Sequence, residues 1–396
     1  MESRWKILTI LFLARIGLGF QFQVLGSVSP QLIDDIGFNY REVGTLVGLF
    51  MVAGVFLSFP AGLIGRFTSD RVLVGCGLGI LALGGFIAST GSGFYLIGFG
   101  RIICGAGFVF GTLYFAKMIA DWFSGREVAT AMTILVMSWP VGIALGQLVH
   151  PLIASQFGYS TAFIVASIYC IAGATAVLLF YRQPDSHLSK ISQTPDQTPA
   201  GQNTQLSAYH WKLTIIAAMA WGLFNAGYVV YLSFSEILIQ HNGYSRVQSS
   251  ALASLPSWTM LLSGIVAGQI ADRTGNRNLV LYLCMAGAVV SMLMLKDARM
   301  ALPGVLLFGL IGAAPAGVIM ALSAEAMPVH ARAFGMGIFF SIYFLVVMPA
   351  PAIAGWIFDI SGQPYLPLYF AGVLFAATAL ANLLFRYIQR STTSAD

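Results

Sequence analysis

The sequence predicts an all-α membrane protein with twelve transmembrane helices in two pseudo-symmetric six-helix bundles. Three observations carry this reading. Hydrophobic residues make up 58% of the 396 and charged residues 9%, against about 25% charged in soluble domains. Twelve apolar runs are long enough to cross the hydrocarbon core, which takes about 20 helical residues. The polar stretch Gly268 to Arg277, GQIADRTGNR, has a degenerate copy half a chain earlier in Gly62 to Arg71, GLIGRFTSDR, the trace that duplication of a helical membrane unit leaves behind.

The first six runs fall near 7–29, 42–64, 71–90, 94–120, 128–152 and 161–181. The run after Lys6 outlasts the apolar core of a signal peptide and has no convincing cleavage site, so it is expected to be the first transmembrane helix. The second six fall near 212–238, 247–270, 278–296, 301–323, 333–357 and 364–386. Between them, 182–210 is rich in Gln, Ser, Thr and Pro and has no apolar periodicity, so a flexible connector is expected there. It separates an N-terminal bundle, 1–181, from a C-terminal bundle, 211–396. A second echo supports the duplication: Leu8-Thr9-Ile10 with Gly17-Leu18 recurs at the same spacing as Leu213-Thr214-Ile215 with Gly222-Leu223.

The net charge of +5 is read from where the bases lie rather than as a nucleic-acid signal. With the N-terminus inside, fourteen of the twenty Lys and Arg fall in cytoplasmic segments, Arg41, Arg246, Lys296 and Arg299 fall outside, and Arg15 and Arg101 lie within helices. Fourteen against four orients the chain with both termini and the connector in the cytoplasm. Cys76, Cys104, Cys170 and Cys284 lie inside apolar runs without paired spacing, so neither a disulfide framework nor a metal site is expected. No nucleotide-binding loop or nucleophile constellation is present, no cofactor is expected, and the chain does not read as an enzyme. An added soluble domain would have favoured a sensor and a helix-borne His or Asp cluster a membrane enzyme; the sequence has neither.

GQIADRTGNR reads as a tight polar turn with a buried-side acid and two exposed bases. It resembles the loop signature of the major facilitator superfamily, roughly G-x-x-x-D-R-x-G-x-R, with Gly268, Asp272, Arg273, Gly275 and Arg277 matching. In the earlier copy Arg66 stands where the signature has Asp and Ser69 where it has Gly. The run RIICGAGFVFG from Arg101 is similar to the family's fourth-helix signature, and SWPVGIALG from Ser138 to its fifth-helix signature, with Trp139 in place of the usual Gly. The resemblance implies a monomeric secondary transporter of the bacterial inner membrane, moving a small molecule by alternating access. It also implies cytoplasmic latches: Arg277 to Glu325, and Arg71 or Arg66 to Asp121.

Arg15 lies mid-membrane in the first helix, where a charge costs about 2.5 to 3.5 kcal/mol on insertion scales. It cannot discharge, so it needs a partner or a wet cavity. Satisfaction by carbonyls, Gln21 or Gln23 is the alternative. For Arg101 the alternative is a structural bond to carbonyls of the first helix. No acid sits at a helix centre, and the two arginines are expected to form a site for a small anion of carboxylate type, as in anion carriers of the superfamily. Trp221, Phe224, Asn225, Tyr228 and Tyr231 share about one helix face, and together with Tyr343 part of this set either lines a cavity or packs in the core. Glu236 is either a solvated end-of-helix acid or a proton-titrating group, and a co-transported proton stays open. His150 is expected at the interface, and Pro140, Pro349 and Pro351 at bends. Small neutral or zwitterionic solutes such as peptides, and drug efflux, are the competing substrate readings.

Overall fold

The computed structural model describes residues 2–64, 68–123, 127–183, 206–328 and 331–393. Every regular element among the described residues is helical. The first half comprises α1 (Glu2–Gln31), which passes into a π-helical turn (Leu32–Ile36), then α2 (Tyr40–Ile64), α3 (Asp70–Thr90), α4 (Phe94–Trp122), α5 (Val128–Phe157) and α6 (Tyr159–Phe180). The second half comprises α7 (Ala208–His241), α8 (Arg246–Thr274), α9 (Arg277–Met294), α10 (Ala301–Leu307), α11 (Ala316–Ala326), α12 (Arg332–Val347), α13 (Ala350–Ser361) and α14 (Leu366–Thr393). Together α10 and α11 make the tenth span, and α12 and α13 the eleventh. Among the described residues, twelve segments are long and apolar enough to cross a membrane.

The chain divides into two compact units, Met1–Val24 with Phe56–Asn203, and Leu25–Val55 with Thr204–Asp396. In the first, α3 and α4 approach until backbone touches backbone: a Cβ on Gly107 would overlap Gly77 O, and one on Gly100 would lie 2.5 Å from Gly84 O. Lipid offers no hydrophobic drive between helices, so such small-residue faces carry the packing. α1 meets α5 the same way, Gly19 against Trp139 O and Gly142 against Ile16 O.

In the second unit the start of α2 lies on the eleventh span, with Gly44 and Gly48 against the carbonyls of Pro351 and Met348. Asp359, near the end of α13, accepts the Tyr40 and Arg41 backbone N–H groups at 3.0 and 2.8 Å. The carboxylate thereby caps the N-terminus of α2, where free N–H groups and the helix dipole both favour an anion.

Four features differ from the sequence reading. GQIADRTGNR is not a ten-residue turn: α8 runs on to Thr274, and Gly275, at φ 67°, reverses the chain with Asn276 before α9 starts at Arg277. Nothing from Gly268 to Thr274 breaks a helix, and one left-handed glycine is enough to end it. Its acid, Asp272, is exposed rather than buried. The tenth span is interrupted by a π-helical turn, Phe308–Gly312, ahead of Pro315. The connector gives way to α7 at Ala208, where Ser207 accepts the His210 N–H as N-cap; 184–205 lie outside the described residues.

Candidate functional site

Arg15 is 8% exposed in α1. Its Nη1 donates to Leu135 O at 2.8 Å, Ser138 Oγ at 2.9 Å and Val136 O at 3.4 Å, all on α5. Pro140 explains this choice. Having no N–H, it cannot bond the carbonyl four residues back, Val136. Arg15 and the Ser138 hydroxyl, which donates to Leu135 O at 2.6 Å, cover the carbonyls of the turn before Pro140. The guanidinium is thus met by neutral oxygens of α5 rather than by Gln21 or Gln23, and its Nε has no partner.

Arg101 in α4 is fully buried. Its Nη1 donates to Gln21 O at 3.3 Å and its Nη2 to Phe22 O at 3.2 Å, with the Phe22 ring 5.9 Å away. This ties α4 to α1 through carbonyls. Around it, Trp139 packs on Phe22 and Phe108 at 5.3 and 5.0 Å. Gln21 donates to Cys104 Sγ at 3.7 Å while its Oε1 is unpaired. His150 is not interfacial: it is wholly buried within α5, which continues to Phe157, and its Nε2 donates to Phe20 O at 3.0 Å.

In the second unit the aromatic residues of α7 divide. Trp221 and Asn225 are half-buried, and Asn225 Nδ2 donates to Trp221 O at 2.8 Å; Trp221 lies 6.3 Å from the half-buried Tyr343. Tyr228 and Tyr231 are buried instead, Tyr228 bonding Ser257 Oγ at 3.1 Å and Tyr231 donating to Ala253 O at 3.3 Å. Both phenols therefore fasten α7 to α8. Three-and-four spacing places all of them on one broad stripe, but a stripe that wide turns one edge into the bundle.

At one end of the first unit, Asp70, which opens α3, is buried, and Lys117 of α4 grips both its oxygens at 2.6 and 2.7 Å. Asp121 lies in the field of this pair. Burial, then Asp121 and Asp70, push the Tyr181 phenol up. Arg71 points to the exposed side of α3, and Arg66 lies outside the described residues. At the corresponding end of the second unit Glu325 is held by Arg386, whose Nη1 and Nη2 both reach it, while Arg277 Nη1 lies 3.8 Å from Glu325 Oε1. Arg277 also bonds Asp272 at 2.9 Å, and Arg273, like them, is exposed. Lys117, Asp70 and Arg386 were missed as partners, because only helix packing brings residues 47 and 61 positions apart together. No cluster of His, Cys, Asp and Glu suited to a metal occurs among the described residues.

The chain resembles known transporters along most of its length. A hexuronate transporter of Bacillus subtilis (strain 168) is 20% identical over 304 residues, covering 73% of this chain and 72% of the relative. A putative metabolite transport protein of Haemophilus influenzae is 24% identical over 350 residues, covering 85% of each. The solved structure of a bacterial homologue of the human lysosomal transporter Spinster, in an inward-facing and occupied conformation, has a TM-score of 0.72 at 15% identity, covering 100% of this chain and 97% of that one. The nucleoside transporter NupG has a TM-score of 0.72 at 13% identity, with 97% and 98% covered. The Major Facilitator Superfamily model matches residues 11–238 and 213–396. The chain belongs to that superfamily: it is a multi-pass membrane transporter for a small molecule and not an enzyme.

Proposed function

We propose that the protein carries a small organic anion of carboxylate type across the bacterial inner membrane by alternating access, as a monomer with both termini and the 182–210 connector in the cytoplasm. The observation that carries this reading is Arg15. It is a permanent charge within an apolar helix whose bonds go to neutral oxygens and whose Nε is unpaired. Neutral carbonyls ease the cost of burying a guanidinium but leave its charge uncompensated, and a carboxylate supplies both charge and a matching pair of acceptors. In the same unit the buried acid Asp70 is engaged by Lys117. Arg101 contributes a second positive charge while clamping α4 to α1. The name of the Bacillus subtilis relative fits this reading, since a hexuronate is a small carboxylate. Within the second unit, half-buried Trp221, Asn225 and Tyr343 carry groups able to stack and hydrogen-bond, and Tyr228 serves mainly as their support.

A thermal-stability screen of the purified protein tests the substrate class, because a ligand that binds the folded state alone raises its stability by mass action. Glucuronate is expected to stabilise the wild type and not Arg15→Gln, with glucose inert. Stabilisation by a dipeptide or a cationic drug instead of glucuronate would overturn the anion reading.

A further inference from the structure

Two acids are buried among the described residues, Asp70 and Glu236, and their surroundings are opposite. Asp70 is ion-paired to Lys117. Glu236 lies five residues before the end of α7, 5% exposed, and its Oε1 accepts from two neutral donors, Ser250 Oγ of α8 at 2.7 Å and Gln240 Nε2 at 3.1 Å. It is therefore not the solvated helix-end acid that its place in the sequence allows.

Gln240 also lines a cleft of about 220 Å³, together with Asp34, Tyr40, His241 and Phe358. One amide thus joins the buried carboxyl to an opening. Charged and titratable groups at this end include Arg246 on α8, His241 on α7, Asp34 and Asp35 on the π-helical turn, Tyr40, Arg41 and Glu42 on α2 and Asp359 on α13; Lys296 is held over the Tyr365 ring at 4.4 Å. Arg246 attracts Glu236 electrostatically, but with the Gln31 amide turned to satisfy its contacts, Arg246 Nη1 donates to Gln31 Oε1 at 2.6 Å. Arg246 is thus partly committed to α1.

We propose that Glu236 is a reversible proton-binding site fed through this cleft, and that its proton accompanies the solute. A carboxyl among neutral hydroxyl and amide groups is satisfied in either state: ionised, it accepts from Ser250 and Gln240; protonated, it donates, and the hydroxyl rotates to accept. A hydronium entering the cleft transfers its proton to the carboxylate and leaves as water. In the ionised state Glu236 draws Arg246 toward itself. Protonation removes that pull and leaves Arg246 to Gln31, so the proton's arrival is felt at the contact between α8 and α1. The coupling half of this proposal rests on the anion-transport reading, since a co-bound proton offsets the solute's charge; the binding half does not.

Infrared difference spectroscopy of the full-length protein in lipid, taken across a pH titration, tests proton binding directly. A carboxylic-acid band that is absent from Glu236→Gln, moved in Glu236→Asp and kept in Asp70→Asn is expected. An unchanged difference spectrum in Glu236→Gln overturns the site. In proteoliposomes, glucuronate uptake driven by an imposed acid-outside gradient should be lost in Glu236→Gln while glucuronate exchange without a gradient persists. Gradient-driven uptake at the wild-type rate overturns the coupling. If the wild type moves no glucuronate, the anion reading fails on its own and the spectra still decide whether Glu236 binds the proton.

Discussion

Replacing Lys117 by Met is the sharpest test of how the first unit is held together at its α3–α4 end. Lys117 Nζ lies 2.6 Å from Asp70, whose side chain is 5% exposed, while the lysine itself is 52% exposed. Removing one partner of a fully buried pair costs about 3–5 kcal/mol, because the other charge is left without compensation. Two effects reduce that here. Water reaches the site from the lysine side, and Asp70 sits in the first turn of α3, where the helix dipole supports an anion by about 0.3–1 kcal/mol. A loss of about 2 kcal/mol is therefore expected. Asp121, close by, loses the same cation, so the loss is not expected to fall below this. Asp70→Asn alone should cost about 1 kcal/mol or less, since the exposed lysine stays hydrated. The double variant should recover to about 1 kcal/mol below wild type, a non-additivity of about 2 kcal/mol. Reversible unfolding in mixed micelles or steric trapping in bicelles measures all four corners of the cycle. A Lys117→Met loss under about 0.5 kcal/mol, the range of an exposed pair, or simple additivity, refutes the argument.

For topology, in a Cys76→Ser background, an impermeant thiol reagent applied to intact cells should label Gln363→Cys and not Thr274→Cys; the reverse pattern inverts the orientation. Glu325→Arg places a third cation against Arg386 and Arg277, and should alter both the transport rate and thiol access from the Thr274 side. No change in either would remove Glu325 from any latch. Arg101→Met should lower stability more than Arg101→Lys, since the carbonyls of Gln21 and Phe22 are reached by two separate guanidinium nitrogens; equal stability of the two would show that the clamp does not hold α4 to α1.

The twelve spans were legible because each is a long apolar run. The break in the tenth span was written in Gly309, Gly312 and Pro315, but hydropathy averages over such residues. The support of Arg15 was half legible: Pro140 declares a carbonyl without a donor, yet that the donor lies 121 positions away is a property of packing. His150 was misplaced, and Glu236 stayed open between two readings, for one reason. Their helices run on past the hydrocarbon thickness, to Phe157 and His241; at 34 residues α7 is about 51 Å long against a core of about 30 Å. Residues near such an end meet neighbouring helices rather than water.

Uptake of radiolabelled glucuronate into proteoliposomes by the wild type, Arg15→Lys and Arg15→Gln tests the central claim most directly. The account predicts robust uptake by the wild type, competed by other small carboxylates and not by glucose, with a sharp fall in Arg15→Lys, which keeps the charge but loses the planar fork, and none in Arg15→Gln, all three inserting equally well. Uptake by Arg15→Gln at the wild-type rate, or competition by neutral sugars as strong as by carboxylates, would contradict it.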